Sequence, residues 1–322
     1  MKGSVFAAAW VKPSPADQAT RDALVRDAVA AGGWIRWPTS LVEIQHKGRT
    51  IGLTVAIDYF AIGEEDDYVR VPVGAPLAQA LADGIGFQIP TAKMTDLIWL
   101  AATWQVEPIT AAAIGVAIGA EQESGAACVK HSRAVDAALP SVNLPGLRAG
   151  LKKDIVISNR LTLPPEPRPP PALTSFNRDG VFIYGWHRKQ PAPDCSKLPA
   201  TPGLCPIQGL SSVHERTYAD YSHGLRMVGK TALLDGKAVP LADLLMDQTI
   251  GWALSHEGPM KVTRYGGPLP TVPSGQGWCQ GFAEGCGVGD AGSKSGAAFA
   301  ALGTVAFAGL AGAAAYLERR YL

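Results

Sequence analysis

The chain has 322 residues, more than most single hydrophobic cores organise, so we expect one large domain or two small ones with appended segments. Apolar residues make up 47% of the chain and charged residues 18%, which leaves enough apolar material for a sizeable core. The formal net charge is only +1 and no long basic run occurs, which excludes the electrostatic footprint of a nucleic-acid-binding protein, so we expect no nucleic-acid partner.

The N-terminal part of the chain is predicted to mix short strands with helices. Residues 5–10 are predicted to form a strand, and a helix capped by Ser14 is predicted to end before Gly33. Further strands are predicted at residues 35–37, 41–45, 51–60 and 68–73, with a hairpin turn at residues 46–49. A short helix at residues 76–81 and a longer one capped by Thr91 follow. The prediction is therefore an α+β fold, in which mixed, strand-rich soluble domains carry a few helices.

A proline-rich stretch at residues 164–171 is predicted to be an extended, exposed connector, because proline favours the polyproline conformation. It is the best candidate for a domain boundary. The chain is therefore divided into an N-terminal α/β region at residues 1–163, the connector at 164–172, a β-rich region with a His/Asp cluster at 173–290, and a C-terminal membrane helix with a basic end at 291–322.

Four of the five cysteines form two local pairs in Gly/Pro-rich loops, Cys195 with Cys205 and Cys279 with Cys286. A disulfide in each loop would restrict the unfolded chain and would place the domain in an oxidising compartment. Zinc binding and free thiols are the alternative uses of these cysteines, although neither pair has the two-residue spacing of a zinc knuckle. The fifth cysteine, Cys128, is predicted to be a small core residue.

Residues 296–317 contain no charged side chain. As a helix this stretch would be about 33 Å long, which matches the hydrocarbon core of a bilayer. Arg319 and Arg320 follow it, and the positive-inside rule then favours a cytoplasmic C-terminus with the main domain on the other side. We therefore expect a membrane partner through residues 296–317 and a location in a cell envelope or a virion. A buried, alanine-rich core helix is the alternative interpretation.

Histidine and acidic side chains concentrate between residues 187 and 226. The candidate catalytic residues of this stretch are His187, His214, Asp220, His223 and Arg226. A turn of the chain at residues 222–224 would bring Asp220 and His223 together, and Gly224 makes such a turn easy. Arg226 would hold an anionic group of the substrate.

Three interpretations of these residues stay open. In the first, Zn²⁺ activates a water molecule for hydrolysis and Glu215 acts as the general base. The metal ligands would then be His187, His214, Asp220 and His223. In the second, a histidine that Asp220 orients activates a serine, and the candidate serines are Ser211, Ser212 and Ser222. In the third, the side chains form a buried hydrogen-bond network that makes the loops rigid.

Several sequence blocks resemble an uncharacterised family of bacterial envelope-type proteins. The blocks begin at Asp58, Pro90, Lys152, Ile183 and His214, and the last of them runs to Arg226. The resemblance covers roughly residues 55–260. It implies an envelope location and no particular activity.

A second, more distant resemblance is to the L,D-transpeptidases of cell-wall synthesis. Their hallmark is Ser-His-Gly-Cys-Ile-Arg, which Ser222-His-Gly-Leu-Arg226 resembles, and Ile183-Tyr-Gly-Trp-His187 stands in for their upstream strand. The nucleophilic cysteine is missing, because Leu225 directly follows Gly224. The resemblance therefore implies a fold related to peptidoglycan chemistry but argues against transpeptidase activity.

These features lead to one leading hypothesis. The protein is expected to be tethered to a membrane in a cell envelope or a virion, with its main domain extracytoplasmic. There it would act on or dock to a cell-wall polymer, and a catalytic form would be a hydrolase with Zn²⁺ as its candidate cofactor. The alternative is a non-catalytic structural subunit that binds the other subunits of a virion or secretion machine and is anchored by its C-terminal helix.

Overall fold

The computed structural model describes residues 1–10, 15–141, 145–162, 180–195 and 201–266. In these ranges the chain has the α+β fold that the sequence predicts, with many short strands and few helices. The helices are α1 (Gly3–Ala9), α2 (Pro15–Ala30), α3 (Ala75–Gly84), α4 (Ala92–Ala101), α5 (Gly125–Ala138), α6 (Leu241–Met246) and α7 (Gly251–Leu254). Short 3₁₀ segments lie at Ala112–Ile114, Ala120–Glu123 and Asn159–Thr162.

The strands are short, and most of them belong to two sheets. They are β1 (Thr39–His46), β2 (Arg49–Ala56), β3 (Ala61–Glu64), β4 (Asp67–Arg70), β5 (Phe87–Gln88), β6 (Trp104–Gln105), β7 (Arg148–Ala149), β8 (Lys153–Ile155), β9 (Ile183–Arg188), β10 (Cys205–Ser211), β11 (His223–Gly224), β12 (Val228–Leu234) and β13 (Lys237–Pro240).

The N-terminal residues form helix α1, so the strand predicted for residues 5–10 is wrong. The helix contains three consecutive alanines, the residue with the highest helix propensity, and it buries Phe6 and Ala7. A Cβ at Gly125 would lie 2.1 Å from the carbonyl oxygen of Ala7, so α5 approaches α1 this closely only because residue 125 is a glycine. Packing against a distant helix therefore decides the structure of this segment.

The first sheet has the order β1-β2-β12-β13, and β5 also pairs with β12. The hairpin predicted between β1 and β2 is confirmed, because Lys47 and Gly48 have φ angles of 47° and 74°, as a tight two-residue turn requires. The strand predicted at residues 35–37 is wrong. In that part of the chain, Trp34 forms a single isolated bridge with Ile62.

The second sheet has the order β10-β9-β8-β11. Lys153 of β8 lies opposite Gly185 of β9 and His223 of β11. The next residue, Asp154, lies opposite Tyr184. Because side chains alternate along a strand, Asp154 and Tyr184 share one side of the sheet. We call this side the Asp154 face, and the opposite side, with Lys153 and His223, the His223 face.

An irregularity in β9 changes the face on which its side chains lie. Gly185 and Trp186 have positive φ angles of 101° and 56°, which interrupt the regular alternation. His187 therefore joins Tyr184 on the Asp154 face, where both side chains bond to the same carboxylate oxygen. Trp186 lies on the His223 face, with its ring centroid 5.1 Å from Nζ of Lys153.

Strands from both sides of the predicted connector pair with one another, because β8 pairs with β9 and β2 pairs with β12. Both parts of the chain therefore build the same two sheets within the unit Met1–Trp278. The connector at residues 164–172, the pair Cys279 and Cys286, and the predicted membrane helix at residues 296–317 lie outside the described residues. Among the residues that are described, no helix combines the length and apolar character needed to cross a bilayer.

A buried ion-pair network joins β4 and β7 to the segment that follows β2. Asp58 is fully buried and accepts hydrogen bonds from Arg70 at 2.9 and 2.8 Å and from Arg148 at 2.8 Å. Burial alone would raise the pKa of Asp58, but the two guanidinium groups lower it to about 2. Because removing one partner would leave a buried charge unpaired, this network constrains the elements that carry it.

Candidate functional site

Asp96 lies on the buried side of α4, a helix whose start is fixed by a side-chain cap. Thr91 Oγ1 accepts a hydrogen bond of 3.1 Å from the backbone N–H of Met94, which confirms the predicted cap. The helix buries Met94 and Ile98 in the apolar core. In this register, Asp96 is fully buried and faces β9.

Five hydrogen bonds converge on the carboxylate of Asp96. Its Oδ1 accepts from the hydroxyl of Tyr184 at 2.8 Å and from Nε2 of His187 at 2.7 Å. Its Oδ2 accepts from Nε2 of His256 at 2.9 Å and from the backbone N–H and the hydroxyl of Thr201, both at 2.8 Å. Burial alone would raise the pKa of Asp96, but the hydrogen bonds from the two histidines hold it well below its usual range. We call Asp96 and its four partner residues the Asp96 cluster, which consists of Asp96, Tyr184, His187, Thr201 and His256.

Neighbouring groups hold two members of this cluster in place. The His187 ring stacks on Trp99, with the ring centroids 5.2 Å apart and the planes at 18°. Thr201 lies in the loop that the disulfide between Cys195 and Cys205 closes. This disulfide is one of the three uses that the sequence left open for these cysteines. It ties the loop that carries Thr201 to the start of β10 and so supports the hydrogen bonds to Asp96.

The cluster reaches the surface at His256. The side chain of His256 is 14% exposed, whereas that of His187 is 1% exposed. The next residue, Glu257, accepts hydrogen bonds from the hydroxyl of Ser158 at 3.0 Å and from the backbone N–H of Asn159 at 3.1 Å. These bonds anchor the segment that carries His256 to the residues that follow β8.

A second buried carboxyl group, that of Asp154, lies on the same face of the sheet. Its Oδ2 accepts a hydrogen bond of 3.1 Å from the hydroxyl of Tyr59, and its Oδ1 lies 3.9 Å from Nε of Arg226. Burial raises the pKa of Asp154 to about 7, although the Arg226 charge and the Tyr59 hydrogen bond oppose the rise, and the negative charge of Asp96 adds to it. Near neutral pH this carboxyl group can therefore either donate or accept a proton.

Gly185, which has no side chain, lies between the side chains of Asp154 and His187. A Cβ at this position would lie 3.4 Å from Cε1 of His187, 3.5 Å from Oδ2 of Asp154 and 3.0 Å from Cγ2 of Thr95. The imidazole and the carboxyl group therefore flank the same small volume, which a side chain at residue 185 would fill. The positive φ of Gly185 is also unfavourable for any other residue.

Arg226 is buried beneath this site and bonds to the backbone. Its guanidinium lies 3.9 Å from the centroid of the Tyr59 ring and donates to the carbonyl oxygens of Ala56 at 3.0 Å and Arg148 at 2.6 Å. A Cβ at Gly224 would lie 2.4 Å from a carbon of the Tyr59 ring, so the glycine of the His-Gly motif makes room for this ring. The arginine thus positions Tyr59 and influences Asp154, while its predicted contact with an anionic substrate group stays a prediction.

The other predicted residues lie on the His223 face. The backbone N–H of His223 donates to the carbonyl oxygen of Asp220 at 3.0 Å, in a turn like the one that the sequence predicts. The carboxylate of Asp220 accepts from the N–H and the hydroxyl of Ser222, at 2.7 and 2.5 Å, and from the hydroxyl of Tyr218 at 3.1 Å. His214 stacks on Tyr218 with the ring centroids 3.9 Å apart.

The five predicted site residues therefore form two groups and not one. His187 and Arg226 lie on the Asp154 face, whereas His214, Asp220 and His223 lie together on the His223 face. Within the described ranges, no group of three or more His, Cys, Asp or Glu side chains is arranged to hold a metal ion. The zinc role of His187, His214, Asp220 and His223 stays a prediction. His214 and His223, with ring centroids 6.4 Å apart, are the histidines of this set that the fold brings close.

Five residues of the site were not among the predicted candidates. They are Asp96, Asp154, Tyr184, Thr201 and His256. Two of them carry a signal in the sequence, because a single acid inside an apolar helix or an apolar strand is expensive to bury unless it has a role. Asp96 stands among Met94, Leu97 and Ile98, and Asp154 directly precedes Ile155 and Val156.

Comparisons with protein-family models, with curated proteins and with solved structures found no match to this chain. The geometry of the two faces is therefore the basis for the proposals that follow.

Proposed function

We propose that the protein is a hydrolase in which the Asp96 cluster and Asp154 perform general acid–base catalysis. The observation that carries the proposal is the arrangement around Gly185, where a histidine held by a buried carboxylate faces a second carboxyl group with a pKa of about 7. Carboxyl groups whose environments drive their pKa values apart are typical of acid–base pairs in enzymes.

The roles follow from the hydrogen bonds. Nε2 of His187 donates to Asp96, which leaves Nδ1 to take a proton from the attacking water. The water oxygen forms a bond to the carbonyl carbon of an amide, and the carbon–nitrogen bond breaks. Asp154 donates its proton to the departing amine, and the proton on His187 then restores the acid. Asp96 orients the imidazole, as the carboxylate of a catalytic triad does.

The proposed substrate is cell-wall material, and the proposed location is a cell envelope or a virion. The support for this choice is the resemblance of Ser222-His-Gly-Leu-Arg226 and Ile183-Tyr-Gly-Trp-His187 to cell-wall enzymes. The disulfide between Cys195 and Cys205 fits an oxidising compartment. The charge-free stretch at residues 296–317 supports a membrane tether.

The alternative is a non-catalytic assembly subunit. The observation that favours it is the number of hydrogen bonds that the Asp96 carboxylate accepts. A buried carboxylate with five hydrogen bonds can also hold the surrounding segments rigidly in place. In that case the Asp96 cluster would stabilise the loops that present a binding surface, and the protein would bind its partner subunits stoichiometrically without turnover.

The deciding experiment measures the hydrolysis of peptidoglycan fragments by the full chain in its oxidised form. His187→Asn should lower kcat by about a hundredfold or more, since general base catalysis is removed. His46→Asn is the matched control, because the His46 side chain lies on the first sheet, where it bonds to the backbone carbonyl of Thr249. Turnover should be measured with added Zn²⁺ and with EDTA, which also tests the zinc prediction.

The outcomes separate the two proposals. A turnover that falls in His187→Asn and persists in His46→Asn supports the hydrolase. Equal turnover in both variants removes His187 from the chemistry and contradicts the proposal. If no fragment is cleaved under either metal condition, and His187→Asn changes only the free energy of unfolding, the assembly subunit is the better account.

A further inference from the structure

The His223 face contains buried polar atoms without partners. Both ring nitrogens of His223 and the indole nitrogen of Trp186 have no hydrogen-bond partner among the described residues. The two side chains are 0% and 5% exposed. Most buried polar groups in proteins are hydrogen-bonded, so unpaired groups on one face of a sheet indicate a ligand or ordered water at that place.

These atoms lie beside the ammonium group of Lys153. Lys153 lies opposite His223 in the sheet, and its Nζ lies 5.1 Å from the centroid of the Trp186 ring. Lys153 forms no ion pair within the described part of the chain. The nearby Asp220 accepts three hydrogen bonds, from Ser222 and Tyr218, and its charge acts on Lys153 without a direct ion pair.

The backbone at Trp186 adds an independent observation. Its φ angle is 56°, a left-handed conformation that a bulky side chain rarely adopts within a strand. This conformation places the indole on the His223 face beside Lys153 and not on the Asp154 face. At the edge of this group, the stacked rings of His214 and Tyr218 are half-buried and reach the surface.

We propose that Lys153, Trp186 and His223 bind the carboxylate of a small amino-acid or peptide ligand. Lys153 supplies the opposite charge, and the indole N–H and one imidazole N–H donate hydrogen bonds to the carboxylate oxygens. The rings of His214 and Tyr218 contact the apolar part of the ligand. The proposal is independent of the proposed hydrolase, because none of these residues belongs to the Asp96 cluster.

The charged side chains around this site indicate what charge its ligand carries. The charges of Lys153, Lys152 and Asp220 all act on His223. Glu123 interacts with His214 and Tyr218 at the outer edge. Two ammonium groups and one buried carboxylate act on His223, so positive charge is in excess there, which disfavours a divalent cation and favours an anion. A singly charged carboxylate fits this balance best.

The test compares two probes that differ only in charge, N-acetyl-alanine and N-acetyl-alanine amide, by calorimetric titration of the full, oxidised chain near neutral pH. The acid should bind, and the amide should bind at least about tenfold more weakly. Lys153→Met should weaken binding of the acid by about tenfold or more, and Trp186→Phe, which removes the N–H donor together with one ring of the indole, by a few fold or more. Lys230→Met, at a lysine paired with Asp83, should bind as the unchanged protein does.

Three results would overturn the proposal. The first is equal binding of acid and amide, or no binding of either probe. The second is a Lys153→Met variant, folded by its thermal unfolding transition, that binds the acid like the unchanged protein. The third is stoichiometric binding of Zn²⁺ that requires His223 while the acid does not bind. His187→Asn should bind the acid normally, so failure of the hydrolase proposal and failure of this one can be told apart.

Discussion

The raised pKa of Asp154 means that this carboxyl group lowers the stability of the fold at neutral and alkaline pH. The side chain is 4% exposed, and its pKa rises from an ordinary value of 3.8 to about 7. Between these two values the folded protein holds a proton that the unfolded chain has released. The free energy of unfolding therefore falls as the pH rises through this window, and the full loss is present above the folded pKa.

Asp154→Asn should remove this loss. The shift is about three pKa units, and each unit corresponds to about 1.4 kcal/mol, so the variant should gain on the order of 4 kcal/mol at about pH 8. At about pH 4 the gain should be close to zero, because residue 154 is then neutral in the folded state of both the variant and the unchanged protein. The amide oxygen of asparagine can still accept the hydrogen bond from Tyr59.

Urea unfolding of the full chain at several pH values measures this difference directly. Other titrating groups contribute equally to both proteins, so the difference between variant and unchanged protein isolates residue 154. Asp66→Asn, at an aspartate whose side chain is 73% exposed and pairs with Lys2, is the matched control and should change the free energy of unfolding only slightly. The reasoning is refuted if Asp154→Asn is less stable at alkaline pH, or if its gain is the same at every pH.

Two further predictions concern the supports of the site. The double variant Cys195→Ser, Cys205→Ser should lose about 2–3 kcal/mol in urea unfolding, because the disulfide closes a loop with a sequence separation of 10, and an unchanged midpoint would contradict this. Gly224→Ala should lose about 1–3 kcal/mol, because its Cβ would lie 2.4 Å from the Tyr59 ring. Gly84→Ala, where nothing lies within 4 Å of the added Cβ, is the control, and equal losses in the two variants would contradict the steric explanation.

Local signals in the sequence predicted the parts of the fold that depend on neighbouring residues. The cap at Thr91 and the hairpin turn at Lys47 and Gly48 are set by side-chain and backbone chemistry within a few residues. Helix α1 was predicted wrongly because its structure depends on the approach of Gly125, far along the chain. Local pattern cannot report a contact of this kind.

The site could be predicted only in part for the same reason. The histidine-rich stretch was found because its residues are close in sequence, and His214, Asp220 and His223 do lie together. The partners of Asp96 are 88, 91, 105 and 160 residues away, at Tyr184, His187, Thr201 and His256. The separation of His187 from the other histidines depends on the backbone angles at residues 185 and 186, which no side-chain pattern specifies.

The irregular block Ile183-Tyr-Gly-Trp-His187 explains how one strand can serve both faces of the sheet. A regular strand would place Tyr184 and His187 on opposite faces, and the Asp96 cluster would lose one of its donors. Two consecutive positive φ angles bring these side chains together and turn Trp186 toward Lys153. A purely structural network would not need a glycine at position 185. It would also not need a buried carboxyl group, that of Asp154, which lowers the stability of the fold. Residues that lower stability are typical of functional sites, and the position of Asp154 is therefore an argument for the proposed catalysis.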